Sequence, residues 1–474
     1  MTSNVEFDLL KSAITKDSTV FPNANVLIWI KERRDQIQAS IKQIPLESMQ
    51  HWNIEKKTQN IKHESGLFFS IEGIHVQTNW GKVKEWDQPI INQPEIGFLG
   101  FIAKKFNGVL HFLAQAKIEP GNINIVQISP TLQATKSNYS QVHRGKRPRY
   151  LEYFNGERYT HLLLDQLQSE QGARFLRKRN RNIIVELPQG EYIDDHQDFI
   201  WLTIGQLKEL MRLDNIINMD TRTVISGISY GSYLADPLKA ITVLAPTNKE
   251  PNLMLQSALN SQYAYQDFRS ILSWITNLKS TYDLSVDRIA LKQVSQWFES
   301  DGEICRVDGR YFSVIGVSSS IGNREVASWD QPMIKPAQEG LLAFIVRPIN
   351  GVYHFLVQAK LEAGNFDIIE LAPTVQCLTG NYRTGLNEYS VPFINDILSA
   401  PKKSILIDAM QSEEGGRFFK EQNRNMIIEV GESFPLKVDG NYCWMTLNQI
   451  LRLIEFNNYL NISARSLISA IIFN

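Results

Sequence analysis

Three polar residues at alternate positions of one predicted strand are the first candidates for chemistry in this sequence. Residues 109–118 alternate with a period of two, which places Gln115, Lys117 and then Glu119 on one face and small or apolar side chains on the other. An amide, an ammonium and a carboxylate at the end of a strand could line a pocket floor with hydrogen-bond donors and a proton acceptor. The alternative is a half-solvated antiparallel strand whose outer face is simply polar.

The basic segment 136–150 contains a second set of candidates. Its cationic or titratable side chains are Lys136, His143, Arg144, Lys146, Arg147 and Arg149. Tyr139 and Tyr150 add aromatic rings to the same segment. Such side chains bind phosphate oxygens through charge-assisted hydrogen bonds, so this segment suits a nucleotide diphosphate. A solvated basic loop is the alternative.

A third set is defined by the spacing of charges in segment 165–182, which the pattern predicts to be a helix. Glu170 and Arg174 are four residues apart, and Arg181 follows two turns later on the same face. The arginines could bind diphosphate oxygens with their planar guanidinium groups. They could equally belong to a self-compensating surface ion pair.

The sequence contains the same domain twice. Trp86-Asp87-Gln88-Pro89 returns as Trp329-Asp330-Gln331-Pro332, and residues 108–117 resemble residues 351–360, both at a displacement of 243 residues. A constant displacement leaves almost no room for insertions, so each copy forms one domain rather than a short repeat unit. We assign residues 1–226 to repeat one, 227–263 to a connector with one or two short helices, and 264–474 to repeat two.

Comparison of the repeats separates what they share from what they do not. Repeat two keeps the polar strand face as Gln358, Lys360 and Glu362, which favours a pocket over a solvated strand. It does not keep the basic segment, whose six cationic or titratable positions become Thr379, Leu386, Asn387, Tyr389, Ser390 and Pro392. We therefore expect the working site in repeat one and a weaker pocket in repeat two.

The predicted elements give each repeat an α+β fold, with strands first and helices later. The predicted helices are 24–41 and 267–279, then 165–182, and finally 204–215 with Thr203 as its N-cap. The predicted strands are 69–76, 97–104, 109–118, 124–129 and 183–187.

Composition limits the classes of function. A net charge of −1 argues against non-specific nucleic-acid binding. No apolar run is long enough for a signal segment or a membrane span, so we expect a soluble, cytoplasmic protein. The 8 histidines show no metal spacing, and Cys305, Cys377 and Cys443 show no paired spacing. A phosphate-binding loop and a G-x-G-x-x-G fingerprint are absent, so we predict neither a metal nor a cofactor.

Several motifs together resemble the NDP-hexose 2,3-dehydratases of deoxysugar biosynthesis. They are residues 86–95, 115–122, 137–139, 151–154, 168–172, 179–182 and 218–220. The resemblance covers essentially the whole chain, including its duplication. It implies tandem Nudix-like domains, a homodimer, a dTDP-linked 4-keto-6-deoxyhexose as substrate and a ketoreductase that acts on the product. The Nudix box itself is missing, which argues against metal-dependent diphosphate hydrolysis.

The reaction implied by the resemblance needs a base for the C3 proton, an acid for the departing C2 hydroxyl and donors for the enolate oxygen. Tyr139, His143 and Glu119 are our candidates for the proton transfers. Lys117 or Gln115 would polarise the carbonyl group. The expected substrate-binding residues are Trp86, Gln115, Asn122, Gln133, Arg144, Tyr150, Arg174, Arg179 and Arg181.

Two other classes of function remain compatible with this sequence. A nucleotide-sugar hydrolase on the same fold would require a divalent metal. A non-catalytic sugar-nucleotide binding protein would bind the substrate without consuming it.

Overall fold

The computed structural model describes residues 5–136, 147–194, 196–231, 252–260, 262–321, 328–382 and 391–473. Within these ranges no helix is long and apolar enough to cross a membrane.

Repeat one begins with two helices and continues mainly as strands. Its elements are α1 (Val5–Ile14), α2 (Asn23–Asp35), β1 (Ala39–Ile44), β2 (Trp52–Ile54), β3 (Ile61–His63), β4 (Ser70–Thr78), β5 (Glu85–Asn92), β6 (Phe98–Phe106), β7 (Val109–Ile118), β8 (Val126–Ser129), β9 (Leu132–Ala134), β10 (His161–Ser169), β11 (Arg179–Glu186), β12 (Phe199–Leu202), α3 (Ile204–Leu210) and α4 (Met219–Ser226). The connector contributes α5 (Leu253–Leu259), and its residues 232–251 lie outside the described ranges.

Within the described residues, repeat two has the same number of strands, 12, in a similar order, with one helix at its start and a further short helix, α7. Its elements are α6 (Phe268–Thr281), β13 (Leu284–Ile289), β14 (Trp297–Ser300), β15 (Glu303–Arg306), β16 (Phe312–Ile321), β17 (Ser328–Pro336), β18 (Gly340–Ile349), β19 (Val352–Lys360), β20 (Glu370–Ala372), β21 (Val375–Leu378), α7 (Ile394–Leu398), β22 (Ile405–Ser412), β23 (Gln422–Glu429), β24 (Tyr442–Thr446), α8 (Leu447–Ile454) and α9 (Ile462–Ser469).

The larger sheet of each repeat has the same strand order. In repeat one the order is β10-β11-β6-β7-β12, with β8 on β7 and β9 on β6. In repeat two it is β22-β23-β18-β19-β24, with β20 on β19 and β21 on β18. The pairs β6–β11 and β18–β23 are parallel, and the other strand pairs of these sheets are antiparallel. This mixed architecture agrees with the predicted α+β class and the duplication.

The smaller sheets are built from both repeats. Strand β1 of repeat one pairs with β16 of repeat two, and β13 of repeat two pairs with β4 of repeat one. The repeats are therefore connected by backbone hydrogen bonds as well as by side-chain packing. Similarity between the copies could not reveal this exchange, because it does not show which copy a strand joins.

The alternation of β7 was predicted correctly, and it explains how the core forms. Leu110, Phe112 and Ala114 are buried in a cluster that continues to Phe344 and Phe355 of repeat two. Burying apolar side chains of this kind stabilises the fold by about 1.5–3 kcal/mol each. The opposite face of β7 is thereby directed away from this core.

The predicted helix at 165–182 is wrong. This segment forms β10, a loop and β11, with Asp165 opposite Ile183 and Ser169 opposite Arg179 in an antiparallel pair. Gly172 weakens a helix here, and Arg177 adopts a positive φ of 48° that a helix does not allow. The two ends of the segment pair in the sheet. The charges spaced four residues apart, Glu170 and Arg174, lie directly after β10 and in the loop.

Two predicted helix boundaries are also wrong. Helix α2 ends at Asp35, and the residues predicted to extend it to 41 begin β1 of the exchanged sheet. Helix α3 does begin after Thr203, whose side chain accepts a hydrogen bond from the Gln206 amide in a capping box. It ends at Leu210, and Asn215 has a positive φ of 54°, which excludes a helix through that residue.

Candidate active site

A cavity of about 630 Å³ lies where the two repeats meet. Gln115, Lys117 and Glu119, at the end of β7, line it. Repeat two contributes Trp329 at the start of β17 and Glu414 in the loop between β22 and β23. The polar strand face therefore forms part of a cavity, as the pocket interpretation predicted, and repeat one does not build this cavity alone.

Glu119 is held in place by amide groups. Its carboxylate accepts hydrogen bonds from Gln133 Nε2 at 2.7 Å, Asn122 Nδ2 at 3.1 Å and Asn218 Nδ2 at 3.2 Å. Asn218 is also the N-cap of α4, where its side-chain oxygen accepts from the Thr221 amide at 2.9 Å. One asparagine therefore fixes both the orientation of the carboxylate and the start of α4.

Asp220 lies in the first turn of α4 and lines the same cavity. Its side chain is 3% exposed, and its Oδ1 has no hydrogen-bond partner among the described residues. Burial raises the pKa of Asp220 well above its usual value, and the charges of Glu119, Glu414 and Glu170 raise it further. This carboxyl group is therefore favoured in its protonated form.

Glu414 reaches the cavity from repeat two. Burial raises the pKa of Glu414 to about 8. Arg417 opposes this rise, and the charges of Glu119 and Glu170 add to it. Its loop is anchored by backbone hydrogen bonds from the Gly121 amide to the Gly415 carbonyl, 2.8 Å, and from the Lys420 amide to the Gly121 carbonyl, 2.7 Å. The end of β7 therefore positions this acid.

Cationic and aromatic side chains complete the wall. The cations are Lys117, Arg149, Lys178 and Arg417, and the rings include Trp52, Phe68, Phe69, Phe175 and Trp329. The Arg417 guanidinium lies 4.1 Å from the centre of the Phe69 ring. Burial lowers the pKa of Lys178, whose ammonium group donates to the Glu95 carbonyl oxygen. A wall of this kind suits an anionic ligand with a flat ring.

Several predicted substrate-binding residues lie outside the set that lines this cavity. Trp86 packs near Ala363 of repeat two, and Tyr150 is buried in the core with its hydroxyl donating to the Asp194 carbonyl at 2.7 Å. Asn122 supports Glu119 rather than lining the wall.

The three predicted arginines also lie elsewhere, because 165–182 is not a helix. Arg174 is 4.3 Å from the Phe312 ring centre, and Arg179 is 4.0 Å from that of Phe366. Arg181 forms a two-pronged ion pair with Asp165. Tyr139, His143 and Arg144 lie outside the described residues.

The residues that the sequence analysis missed show the clearest differences between the repeats. At the displacement of 243 residues, Asp220 corresponds to Ser463 and Lys178 to Glu421. Glu414, which lines the cavity at the end of β7, corresponds to Gln171. Direct comparison of residues 170–178 and 218–220 with their copies would have singled out these positions.

His111 and its counterpart in repeat two, His354, are held by hydrogen bonds within the fold. His111 is buried and its Nε2 lies 2.7 Å from Ser18 Oγ, and His354 Nε2 accepts from the Tyr265 amide at 2.9 Å. In the part of the chain that the structure describes, no three His, Cys, Asp or Glu side chains are arranged to hold a metal ion.

The chain matches the family described as NDP-hexose 2,3-dehydratase twice, over residues 23–228 and 268–471. It belongs to that family. A relative from Saccharopolyspora spinosa, named dTDP-4-dehydro-6-deoxy-alpha-D-glucopyranose 2,3-dehydratase, is 42% identical over 99% of this chain and 95% of its own length. A relative with the same name from Amycolatopsis orientalis is 41% identical over 97% of this chain and 92% of its own length. Another, from Streptomyces violaceoruber, is 40% identical over 94% of this chain and 95% of its own length.

Proposed function

We propose that this protein is a nucleotide-sugar 2,3-dehydratase that acts on dTDP-4-keto-6-deoxyglucose. The product would be the dTDP-linked 3,4-diketo-2,6-dideoxyhexose. The family and the names of the relatives support the reaction. The observation in this chain that carries the proposal is a cavity that combines Lys117 with the buried carboxyl groups of Glu119 and Asp220.

The C4 ketone makes the C3 hydrogen acidic, so a base can remove it and form an enolate. Lys117 and Gln115 line the cavity together, and their N–H groups would stabilise the enolate oxygen. Loss of the C2 hydroxyl as water leaves an enol, which tautomerises to the diketone. Carbon is neither oxidised nor reduced overall, so the step is an elimination that these side chains can support through acid–base chemistry.

Tyr139, His143 and Glu119 remain our candidates for moving the protons. Glu119 lines the cavity, and its position is fixed by the amide groups of Asn122, Gln133 and Asn218. The other two candidates belong to the basic segment that only repeat one contains.

The nucleotide would occupy the part of the cavity that is rich in rings and cations. The Trp52 and Trp329 rings supply flat apolar surface for a base, while Arg149 and Arg417 supply charge for the diphosphate. Arg144, in the adjoining segment, is expected to add a further contact.

Other properties follow from the same resemblance. We propose that each repeat is Nudix-like and that the protein forms a homodimer. Cytoplasmic localisation fits its three unpaired cysteines, Cys305, Cys377 and Cys443, because thiols stay reduced in that compartment. A diketo sugar is reactive, so a ketoreductase that consumes it is the expected functional partner.

The test is incubation of the purified protein with dTDP-4-keto-6-deoxyglucose and a trapping ketoreductase, followed by mass spectrometry. The expected result is a product that has lost one water and gained two hydrogens. Metal-dependent release of phosphate would instead indicate a hydrolase. Binding without consumption of the substrate would indicate a non-catalytic binding protein.

A further inference from the structure

Two carboxyl groups from different repeats line the proposed active site. Asp220 comes from α4 of repeat one, and Glu414 comes from the β22–β23 loop of repeat two. We propose that Asp220 and Glu414 together form the general acid that protonates the departing C2 hydroxyl. This proposal rests on the proposed function and assigns a step within it.

Each of the two groups has one oxygen without a hydrogen-bond partner. Asp220 Oδ1 and Glu414 Oε2 are buried and have no hydrogen-bond partner among the described residues. The other oxygen of Glu414 accepts from the Gly416 amide at 3.1 Å. Buried polar atoms normally have partners, so unpaired oxygens on two residues that line a cavity indicate a place where a ligand donates or accepts.

Glu119 differs from these two groups in its hydrogen bonds. It accepts from the amides of Gln133, Asn122 and Asn218, so both of its oxygens already have hydrogen-bond donors. The pKa values of Asp220 and Glu414 are raised, with burial as the main cause and the charge of Glu119 as a contributor in both. Both groups are therefore favoured in their protonated forms.

A buried arginine holds together the two segments that contain Asp220 and Glu414. Arg222, two residues after Asp220, donates to the Ser412 carbonyl oxygen and, at 3.1 Å, to Gln411 Oε1. Ser412 is two residues before Glu414. Arg222 is 1% exposed, so it acts as a positioning residue that fixes α4 against the loop from repeat two.

The repeats provide an internal comparison. The positions that correspond to Asp220 and Glu414 are Ser463 and Gln171, which have no carboxyl group. The acid pair is therefore confined to one of the two equivalent positions, while Glu119 has an equivalent in Glu362. This distribution assigns the pair a chemical rather than a folding role.

The protons and electrons balance in the proposed step. The C3–H electrons form the enolate and then the C2–C3 double bond as the C2–O bond breaks. The leaving oxygen keeps the electron pair of that bond and takes a proton from the carboxyl pair, so that water departs. The C3 enol hydroxyl returns a proton to the carboxyl pair, and the protonated base delivers a proton to C2.

The test compares Glu414→Gln and Asp220→Asn with wild type and with Glu421→Gln. Glu421 is a suitable control because its carboxyl group is also buried, with a pKa raised to about 7, but lies outside the cavity lining. Dehydration is followed by mass spectrometry with the trapping ketoreductase. Exchange of the C3 hydrogen is followed separately by NMR in D₂O, and thermal unfolding reports whether each variant folds.

Loss of general acid catalysis should lower turnover by at least about 100-fold in both variants, with E421Q unchanged. Exchange at C3 should persist, because the enolate still forms. Folded variants that dehydrate at the wild-type rate would overturn the proposal, and so would loss of C3 exchange. If D220N does not fold, the turnover and C3 exchange of E414Q alone test the proposal. Failure of wild type to dehydrate the sugar would instead refute the proposed function.

Discussion

The amide of Gly121 in repeat one donates a hydrogen bond of 2.8 Å to the carbonyl oxygen of Gly415 in repeat two. The reciprocal bond joins the Gly364 amide to the Gly172 carbonyl at 2.7 Å. Each repeat thus holds a loop of the other against the end of its own polar strand. In repeat one, that contact brings Glu414 to the cavity.

Gly121→Ala should disrupt this contact. An added Cβ would meet the Phe418 carbonyl oxygen and lie 2.7 Å from the Gly415 carbonyl oxygen, so the loop must move. We expect a loss of about 1–3 kcal/mol in the free energy of unfolding and a marked fall in turnover. Gly431→Ala is the control, because an added Cβ there would meet nothing within 4 Å. Equal melting temperatures for the two variants would contradict the prediction.

Lys117→Met and the matched change in repeat two should show which repeat contains the working site. If the Lys117 ammonium group stabilises the enolate, its loss should lower kcat by about 100-fold or more, with a smaller effect on substrate binding. The matched change is Lys360→Met in repeat two, where the lysine donates to the Gln376 carbonyl oxygen at 3.3 Å. Steady-state kinetics of both variants provide the measurement. A larger loss in Lys360→Met would reverse the assignment of the working site.

The buried carboxyl group of Glu421 should make stability depend on pH. Burial raises the pKa of Glu421 to about 7 in the folded protein, whereas an unfolded glutamate has a pKa of about 4.3. Between these values the folded protein retains a proton that the unfolded chain has released, so this group lowers stability as pH rises through the window. Glu421→Gln should therefore raise the melting temperature at pH 8.5 and have little effect at pH 4. If Glu421→Gln raised the melting temperature more at pH 4 than at pH 8.5, the prediction would be wrong.

Arg144 in the basic segment is expected to bind the diphosphate. Arg144→Ala should weaken binding of the nucleotide by about tenfold, since a charge-assisted hydrogen bond contributes about 1.5–3 kcal/mol. Asn387→Ala, at the corresponding position of repeat two, is the control. Isothermal titration with dTDP measures both, and equal affinities would remove Arg144 from the site.

Tyr139 and His143 are expected to move protons. Tyr139→Phe and His143→Ala should lower kcat more than they weaken binding, because a proton-transfer group acts mainly in the transition state. The matched Tyr382→Phe should change kcat little. If Tyr382→Phe abolished turnover and both changes in repeat one left it intact, the active repeat would have been misassigned.

Elements with a strong periodic pattern were predictable from sequence. Residues 114–118 of β7 alternate between apolar and polar side chains, so the period of two predicted that Gln115 and Lys117 share a face. Segment 165–182 misled the prediction, because charges spaced four residues apart occur at strand ends and in loops as well as on helices. Local spacing cannot distinguish these cases when pairing with a distant strand decides the outcome.

The candidate site was only partly predictable for a related reason. Glu119 and Lys117 are adjacent to the turn that ends β7, so their sequence context indicated a pocket. Glu414 reaches the same cavity because its loop is hydrogen-bonded to Gly121 after the end of β7. Sequence similarity shows that two segments are alike, but it does not show which copy each segment packs against.

The crossing of strands between the repeats has a consequence for how the gene can evolve. Repeat two lacks the Asp220 carboxyl group at Ser463, and a separate domain in that situation would be free to diverge. Here its loop still carries Glu414, so selection for the reaction acts on both halves of the gene. Recombination that joins halves from two relatives should preserve activity only when the contacts at Gly121 and Gly415 match.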